Sequence, residues 1–254
     1  METLVFKKPE SIKEDYNYTF CPGCDHGVAL RLVAEVLDEF GIREKTIAAA
    51  SVGCSVLINQ CFNIDIAESA HGRALAVATG IKRSKPDKIV FTYQGDGDLA
   101  SIGLCESLHA ASRGEKVTAI CINNTTYGMT GGQAGPTTLL GQITTTTPKG
   151  RKAELTGFPM KISEMMTNCE GAVYVARVSL DSPAQITKAK KAIKKAFEVQ
   201  ISGLGFSFVE ILSICPTNWH MTPKNAHERV RKEMYPVFPL GILKDQTNNS
   251  KEHK

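Results

Sequence analysis

Two sets of residues in this sequence have the types and spacing for metal chemistry, one of oxygens and one of sulfurs. The oxygen set is Gly95-Asp96-Gly97-Asp98 followed by Asn123-Asn124. An aspartate oxygen with an amide oxygen suits a hard cation such as magnesium, and diphosphate oxygens, a backbone carbonyl and water can complete its octahedron. The sulfur set comes from eight cysteines in 254 residues. In a reducing compartment that number argues for metal or catalysis rather than disulfides. Four of them, Cys21, Cys24, Cys54 and Cys215, sit in turns beside Gly or Pro. Four thiolates make a tetrahedral site for zinc or for an iron–sulfur cluster.

The elements around these residues must bring them together. Lys88 to Tyr93 is apolar and β-branched, a buried strand running into the Gly-Asp-Gly turn. Leu99 to Ser112 has helical spacing and stops at Gly114. Its first turn offers unpaired N–H groups and a positive dipole end to a phosphate. Val117 to Ile122 is a second buried strand with Asn123-Asn124 just past its end. In parallel α/β sheets ligands bind at that edge, so Asp96 and Asn124 are expected side by side. The pattern resembles the thiamine diphosphate signature, which anchors a diphosphate through a metal. A plain strand–turn–helix with a polar loop is the bland alternative, and the following strand with its Asn-Asn end outweighs it.

Elsewhere the spacing predicts helices over 27–40, 74–82, 158–168 and 184–201, and strands over 46–51, 172–179 and 205–212. Residues 56–70 have no clear assignment. Thr125 to Gly150 reads as a long loop rich in Gly, Thr and Pro that covers the site. The alternation predicts an α/β fold, a mostly parallel sheet with helices on both faces. The expected division is an N-terminal arm (1–20), one domain (21–235) and a polar tail (236–254), frayed from Gln246 on.

The net charge of +4 is mild, and there is a single Trp. The densest basic run, Lys188 to Lys195, fits the solvated face of a helix, so nucleic acid is not an expected partner. No run is long and apolar enough for a membrane span, and the first residues do not read as a signal peptide, so the expected location is cytoplasmic. Cys105, in an apolar helix, and Cys121, in an apolar strand, are expected to be buried and inert. Cys61 and Cys169 stay undecided between that reading and a functional one, with the bland reading favoured.

Several motifs in combination resemble the β subunit of the thiamine-dependent 2-oxoacid:ferredoxin oxidoreductases. They are Cys-Pro-Gly-Cys-Asp-His-Gly (21–27), Val-Gly-Cys-Ser (52–55), His-Gly-Arg (71–73), Gly-Asp-Gly-Asp (95–98), Asn-Asn-Thr-Thr-Tyr-Gly-Met-Thr-Gly-Gly-Gln (123–133) and Cys-Pro-Thr-Asn-Trp (215–219). The resemblance covers roughly residues 15 to 235 and implies the diphosphate-type thiamine-binding fold. It places a [4Fe-4S] cluster on Cys21, Cys24, Cys54 and Cys215, and Mg2+ on Asp96, Asn124 and the carbonyl of Thr126. Thiamine diphosphate contacts fall on Val52, Gly53, Cys54, Ser55, His71, Gly97, Asp98, Gly128 and Met129. No catalytic residue is fixed in this chain, with Met129 as a prop beneath the thiamine and His71 as a donor to a diphosphate oxygen.

The implied reaction is oxidative decarboxylation of a 2-oxoacid with coenzyme A to acyl-CoA and CO2, with electrons passing through the cluster to ferredoxin. One departure is Gly131, where many relatives carry Lys. It places the chain in another branch, with 2-oxoglutarate or a branched-chain 2-oxoacid as the expected substrate. The motifs are of the diphosphate-binding kind alone, so the resemblance implies that the pyrimidine-binding domain is supplied by an α subunit as partner, with γ and ferredoxin-like δ subunits beside it. Two alternatives are a non-redox thiamine-dependent decarboxylase subunit and a zinc-stabilised binding module.

Overall fold

In the computed structural model, which describes residues 7–16 and 18–247, the apolar runs line up as one sheet. Its strands are β1 (Thr46–Ser51), β2 (Asp65–Ser69), β3 (Ile89–Gly95), β4 (Thr118–Asn123), β7 (Ala172–Ser179), β8 (Phe206–Leu212) and β9 (Gly241–Asp245). β5 (Thr126–Tyr127) and β6 (Gln133–Ala134) make a separate small hairpin. The order across the sheet is β2-β1-β3-β4-β8-β7-β9. All neighbours are parallel except β9, which runs antiparallel to β7.

Because β3, β4 and β8 are fully buried save for Gly95, they need apolar residues on both faces, and helices cover both. On one side His26–Glu39 and Pro183–Ile201 pack through Leu30, Leu37, Ile193 and Phe197. Phe91 and Phe197 meet edge to face there, with ring centroids 5.6 Å apart, a geometry worth about 0.5–1.5 kcal/mol beyond the area buried. On the other side Ala74–Ser84, Leu104–Ser112 and Ile162–Thr167 pack through small and apolar side chains such as Ala78, Ala110 and Met166.

Helix Pro183–Ile201 begins as its sequence demands, with Ser182 accepting from the Gln185 N–H and Pro183 in the first turn. Its basic run is more than a solvated face. Lys190 reaches Glu35 at 2.7 Å and Glu39 at 2.8 Å, and Lys194 reaches Glu39 at 2.7 Å. These partly exposed pairs add little stability, but they commit the lysines to the neighbouring helix.

Three expectations need correction. The segment expected as an arm contributes Ile12 and Phe20 to the core, and Ile12 bridges to Phe62. The segment expected as a tail contributes β9, and the Gln246 N–H still bonds to the Val173 carbonyl. Residues 248–254 of that tail, and the first six residues that bear on a signal peptide, lie outside the described residues. Cys105 is exposed, not buried. Its helix packs through Ser107, Ala110 and Ala111, a stripe that turns position 105 outward. Cys61, Cys121 and Cys169 are buried, as expected. No helix among the described residues is long and apolar enough to cross a membrane.

Candidate cofactor site

The C-terminal ends of β1, β3, β4 and β8 share one edge, because these strands are parallel and adjacent. The turns that follow them carry Val52–Ser55, Gly95–Asp98, Asn123–Thr126 and Ser213–Cys215. A cavity of about 600 Å3 opens at that edge. Its lining includes Asp96, Asn124 and Thr126, and also Val52, Gly53, Cys54, Ser55, His71, Gly97, Asp98, Gly128 and Met129. The oxygen set and the expected thiamine contacts therefore face one space.

The two asparagines divide the work. Asn123 is fully buried and donates its side-chain amide to Glu210 at 2.7 Å. Its own Oδ1 accepts the Thr125 N–H at 3.1 Å. Thr125 is held at φ +59°, a left-handed conformation that a β-branched residue rarely adopts and that needs such support. The resulting bend turns Asn124 to the cavity, where its Oδ1 accepts the Thr126 N–H at 3.2 Å. A second lone pair remains on that oxygen.

Asp96 is buried. Burial pushes its carboxyl up to about 7, against hydrogen bonds from the Thr137 hydroxyl and from the backbone of Gly97 and Asn124. A carboxylate in that setting is offset by a cation. Asp98 lines the cavity and is also bonded within the protein. Its Oδ1 accepts Ser51 Oγ at 2.7 Å and the Gly72 N–H, and Oδ2 accepts Gln94 Nε2 at 2.6 Å. It fastens β1, β3 and the His-Gly-Arg turn to one another. His71 lies with Nδ1 2.6 Å from the Val52 carbonyl and 3.4 Å from Asp98 Oδ1. Nδ1 is therefore the donor to Val52, and donation from Nε2 to a diphosphate requires the imidazolium.

Beyond Asn124 the long loop is fixed rather than loose. Thr138 Oγ1 donates to the Thr125 carbonyl at 2.6 Å, and Gln142 Nε2 to the same oxygen at 3.2 Å. Arg151 is buried and spends its whole fork on carbonyls, with Nη1 on Gly135, Pro136 and Thr138, Nη2 on Thr156 and Phe158, and Nε on Gly157. The loop therefore presses Thr137 onto Asp96 as a rigid cover. Gly131 sits at φ +112°, so a lysine there would be strained.

The sulfur set gathers beside the same cavity. A Cβ on Gly128 would lie 3.2 Å from Cys54 Sγ and 3.7 Å from Cys215 Sγ, so the loop passes close to both thiols and a side chain there would crowd Cys54. Cys24 Sγ lies 3.8 Å from the carbonyl of Ile214, the residue before Cys215. The Cys24 N–H closes a tight turn on the Cys21 carbonyl at 3.0 Å. Burial pushes the Cys24 thiol up to about 12 and the Cys54 thiol up to about 11, and neighbouring thiols add to both. Cys215 is raised by burial too, with Cys21 contributing. Cys215 is buried, Cys24 and Cys54 are partly buried and Cys21 is exposed; neighbouring thiols that mutually oppose ionisation are a donor set that a bound cationic centre reverses. Among the described residues no three Cys, His, Asp or Glu side chains are drawn together as a single-ion site.

Sequence reasoning missed some lining residues. His26 is buried, stacked on Phe20 at 4.8 Å and bonded through Nδ1 to Tyr93 Oη at 3.0 Å. Burial lowers its pKa to about 4, so it stands neutral at the cavity wall. Tyr127 and Ile102 also line it. Tyr127 lay within a recognised motif, and its place beside Gly97 was the missing information.

Comparison with known proteins places the chain as a whole. The thiamine pyrophosphate enzyme family, in its C-terminal TPP binding domain, matches residues 51–211. Ketoisovalerate oxidoreductase subunit VorA of Methanothermobacter marburgensis is 42% identical over 98% of this chain and 54% of its own length. 2-Oxoglutarate synthase subunit KorB of Methanocaldococcus jannaschii is 39% identical over 79% of this chain and 70% of its own length. The chain thus spans about half the length of the VorA relatives it matches. A solved 2-oxoglutarate:ferredoxin oxidoreductase from Magnetococcus marinus, with 2-oxoglutarate, coenzyme A and succinyl-CoA bound, superposes with a TM-score of 0.74 at 29% identity. That match covers 97% of this chain and 89% of the other. With a family model over more than half of its length and relatives of this identity and coverage, the chain belongs to the thiamine pyrophosphate-binding, β-type subunits of the 2-oxoacid:ferredoxin oxidoreductases.

Proposed function

We propose that this chain is the thiamine diphosphate-binding subunit of an enzyme that oxidatively decarboxylates a 2-oxoacid with coenzyme A. Electrons leave through a [4Fe-4S] cluster to ferredoxin. The observation that carries the reading is Cys54, whose residue lines the thiamine cavity while its sulfur shares Gly128 with Cys215. One cysteine thus joins the carbon chemistry to the electron exit.

In this reading Mg2+ is held by Asp96, Asn124 and the Thr126 carbonyl, and the cluster by Cys21, Cys24, Cys54 and Cys215. Thiamine supplies the carbanion-stabilising carbon when bound, and the cluster removes electrons singly. This chain's own residues bind and exclude water. Met129, Val52 and Ile102 are half exposed at the cavity and offer apolar surface to the thiamine rings. Asp98 holds His71 and Gly72 in place for the diphosphate. An α subunit with a pyrimidine-binding domain completes the site, and γ and δ subunits with ferredoxin carry the electrons onward. A reducing cytoplasm suits the free thiols.

For the substrate we favour a branched-chain 2-oxoacid over 2-oxoglutarate. Among the described residues no lysine or arginine lines the cavity, so this chain offers no cation to a second carboxylate. The VorA relatives are named for ketoisovalerate. The test is coenzyme A-dependent reduction of a viologen dye by the anaerobically assembled complex. Ketoisovalerate should turn over with higher kcat/KM than 2-oxoglutarate or pyruvate. Turnover of none of these, or turnover by the lone chain, overturns the reading.

A further inference from the structure

We infer that Asn218 is a positioning residue that donates a hydrogen bond to the cluster-ligating sulfur of Cys215 and so raises the reduction potential of the electron exit. The inference rests on the cluster reading above. Asn218 lies in the short helix Pro216–Trp219, which starts at Cys215 itself. Its Nδ2 is 3.2 Å from Cys215 Sγ and 2.9 Å from the Gly128 carbonyl. One amide group thus spends its two hydrogens on the cluster ligand and on the loop that lines the thiamine cavity.

The amide is not free to swing away. A Cβ on Gly132 would come within 3.0 Å of both Asn218 Cβ and Oδ1, so the Gly131-Gly132 turn packs directly on the side chain. The helix beneath is closed by the Trp219 N–H on the Cys215 carbonyl at 2.9 Å and ends at His220 in a left-handed conformation, φ +52°. Trp219 is covered by the Arg229 guanidinium, 4.3 Å from its ring. Ligand, donor and loop are parts of one rigid corner.

The physical consequence follows from charge. A reduced cluster carries one more negative charge than an oxidised one, so a donor on a ligating sulfur stabilises the reduced form more. Removing the donor must lower the potential. The shared contact with Gly128 also means that anything shifting the cavity loop shifts the donor.

The experiment is a redox titration of the anaerobically purified protein, following the reduced cluster by electron paramagnetic resonance, in wild type, Asn218→Leu and Asn218→Asp. Leucine has a similar shape and no donor, whereas aspartate has the same shape, no donor and a negative charge. Iron content should stay at the wild-type level in Asn218→Leu. At a fixed potential near the wild-type midpoint its ratio of reduced to oxidised cluster should fall about tenfold, about 59 mV for one electron. Asn218→Asp should move further in the same direction. Unchanged midpoints with iron retained overturn the inference. Loss of iron in both variants, with wild type loaded, also overturns it, because Asn218 would then hold the ligand rather than tune it. A wild-type protein without iron overturns the cluster reading itself, and this inference with it.

Discussion

Asn123 and Glu210, on adjacent strands β4 and β8, meet through a 2.7 Å hydrogen bond just beneath the cofactor cavity. Glu210 is wholly buried and is also held by Arg177 Nε at 2.8 Å and by the Ser163 hydroxyl. Arg177 in turn pairs with Glu164. A charged network therefore lies under the sheet edge, and Asn123 is its upper end. Such a network adds little net stability when complete, yet losing one member is costly.

This division of labour separates the two asparagines by experiment. Asn123→Ala should destabilise the protein by about 1–3 kcal/mol, since it strands a buried acceptor. Asn124→Ala should leave the melting temperature of the cofactor-free protein nearly unchanged. It should weaken magnesium-dependent thiamine diphosphate binding at least about tenfold. Thermal unfolding and calorimetric titration check the pair, and equal behaviour of the two variants would contradict it.

Arg151 makes a second prediction. Its fork satisfies the carbonyls of six residues of the covering loop. Arg151→Met should cost about 2–4 kcal/mol and speed amide exchange across 134–158. Cofactor affinity should fall with it, because Thr137 loses its hold on Asp96. Arg151→Lys should fail to rescue, since an ammonium cannot span the same carbonyls.

Asp181 predicts the acid limb of stability. Burial raises its carboxyl, but donors from Ser179, Tyr235 and Arg231 outweigh it and hold the pKa below the ordinary value. A folded pKa lower than the unfolded one stabilises the protein above the unfolded value of about 3.9. That contribution is lost as pH falls through the folded value. Asp181→Asn should therefore melt lower than wild type at pH 7, with the gap closing at strongly acid pH. A constant gap across the acid range would contradict the assignment.

How far these features were legible in the sequence depends on how local their causes are. β1 and β7 match the expected bounds, 46–51 and 172–179, because buried parallel strands need unbroken apolar runs. β2 escaped assignment, as Asp65–Ser69 is a half-exposed edge strand that needs no such run. β9 is likewise a short exposed edge, and only its pairing with β7 makes it a strand. The expected helix from Leu99 opens as a wide turn over Asp98–Ile102, closed by the Gly103 N–H on the Asp98 carbonyl at 3.0 Å. Wide turns of this kind often mark functional sites, and nothing in the spacing announces them. The approach of Cys54 and Cys215 was legible because both follow strands of one parallel sheet, whereas the Cys21–Cys24 turn precedes a helix and no strand end places it. The work of Asn123 and Asn218 was not, because each depends on a partner far away in the chain, and that of Arg151 was not, because its partners are backbone carbonyls of an irregular loop.

Anaerobic purification followed by iron, acid-labile sulfide and zinc analysis, with Cys54→Ser alongside, tests the central claim most directly. Wild type should carry about four irons and four sulfides per chain and show a brown charge-transfer absorbance, and Cys54→Ser should lose both with thiamine diphosphate still bound. Zinc in place of iron, or iron unaffected by Cys54→Ser, would contradict it.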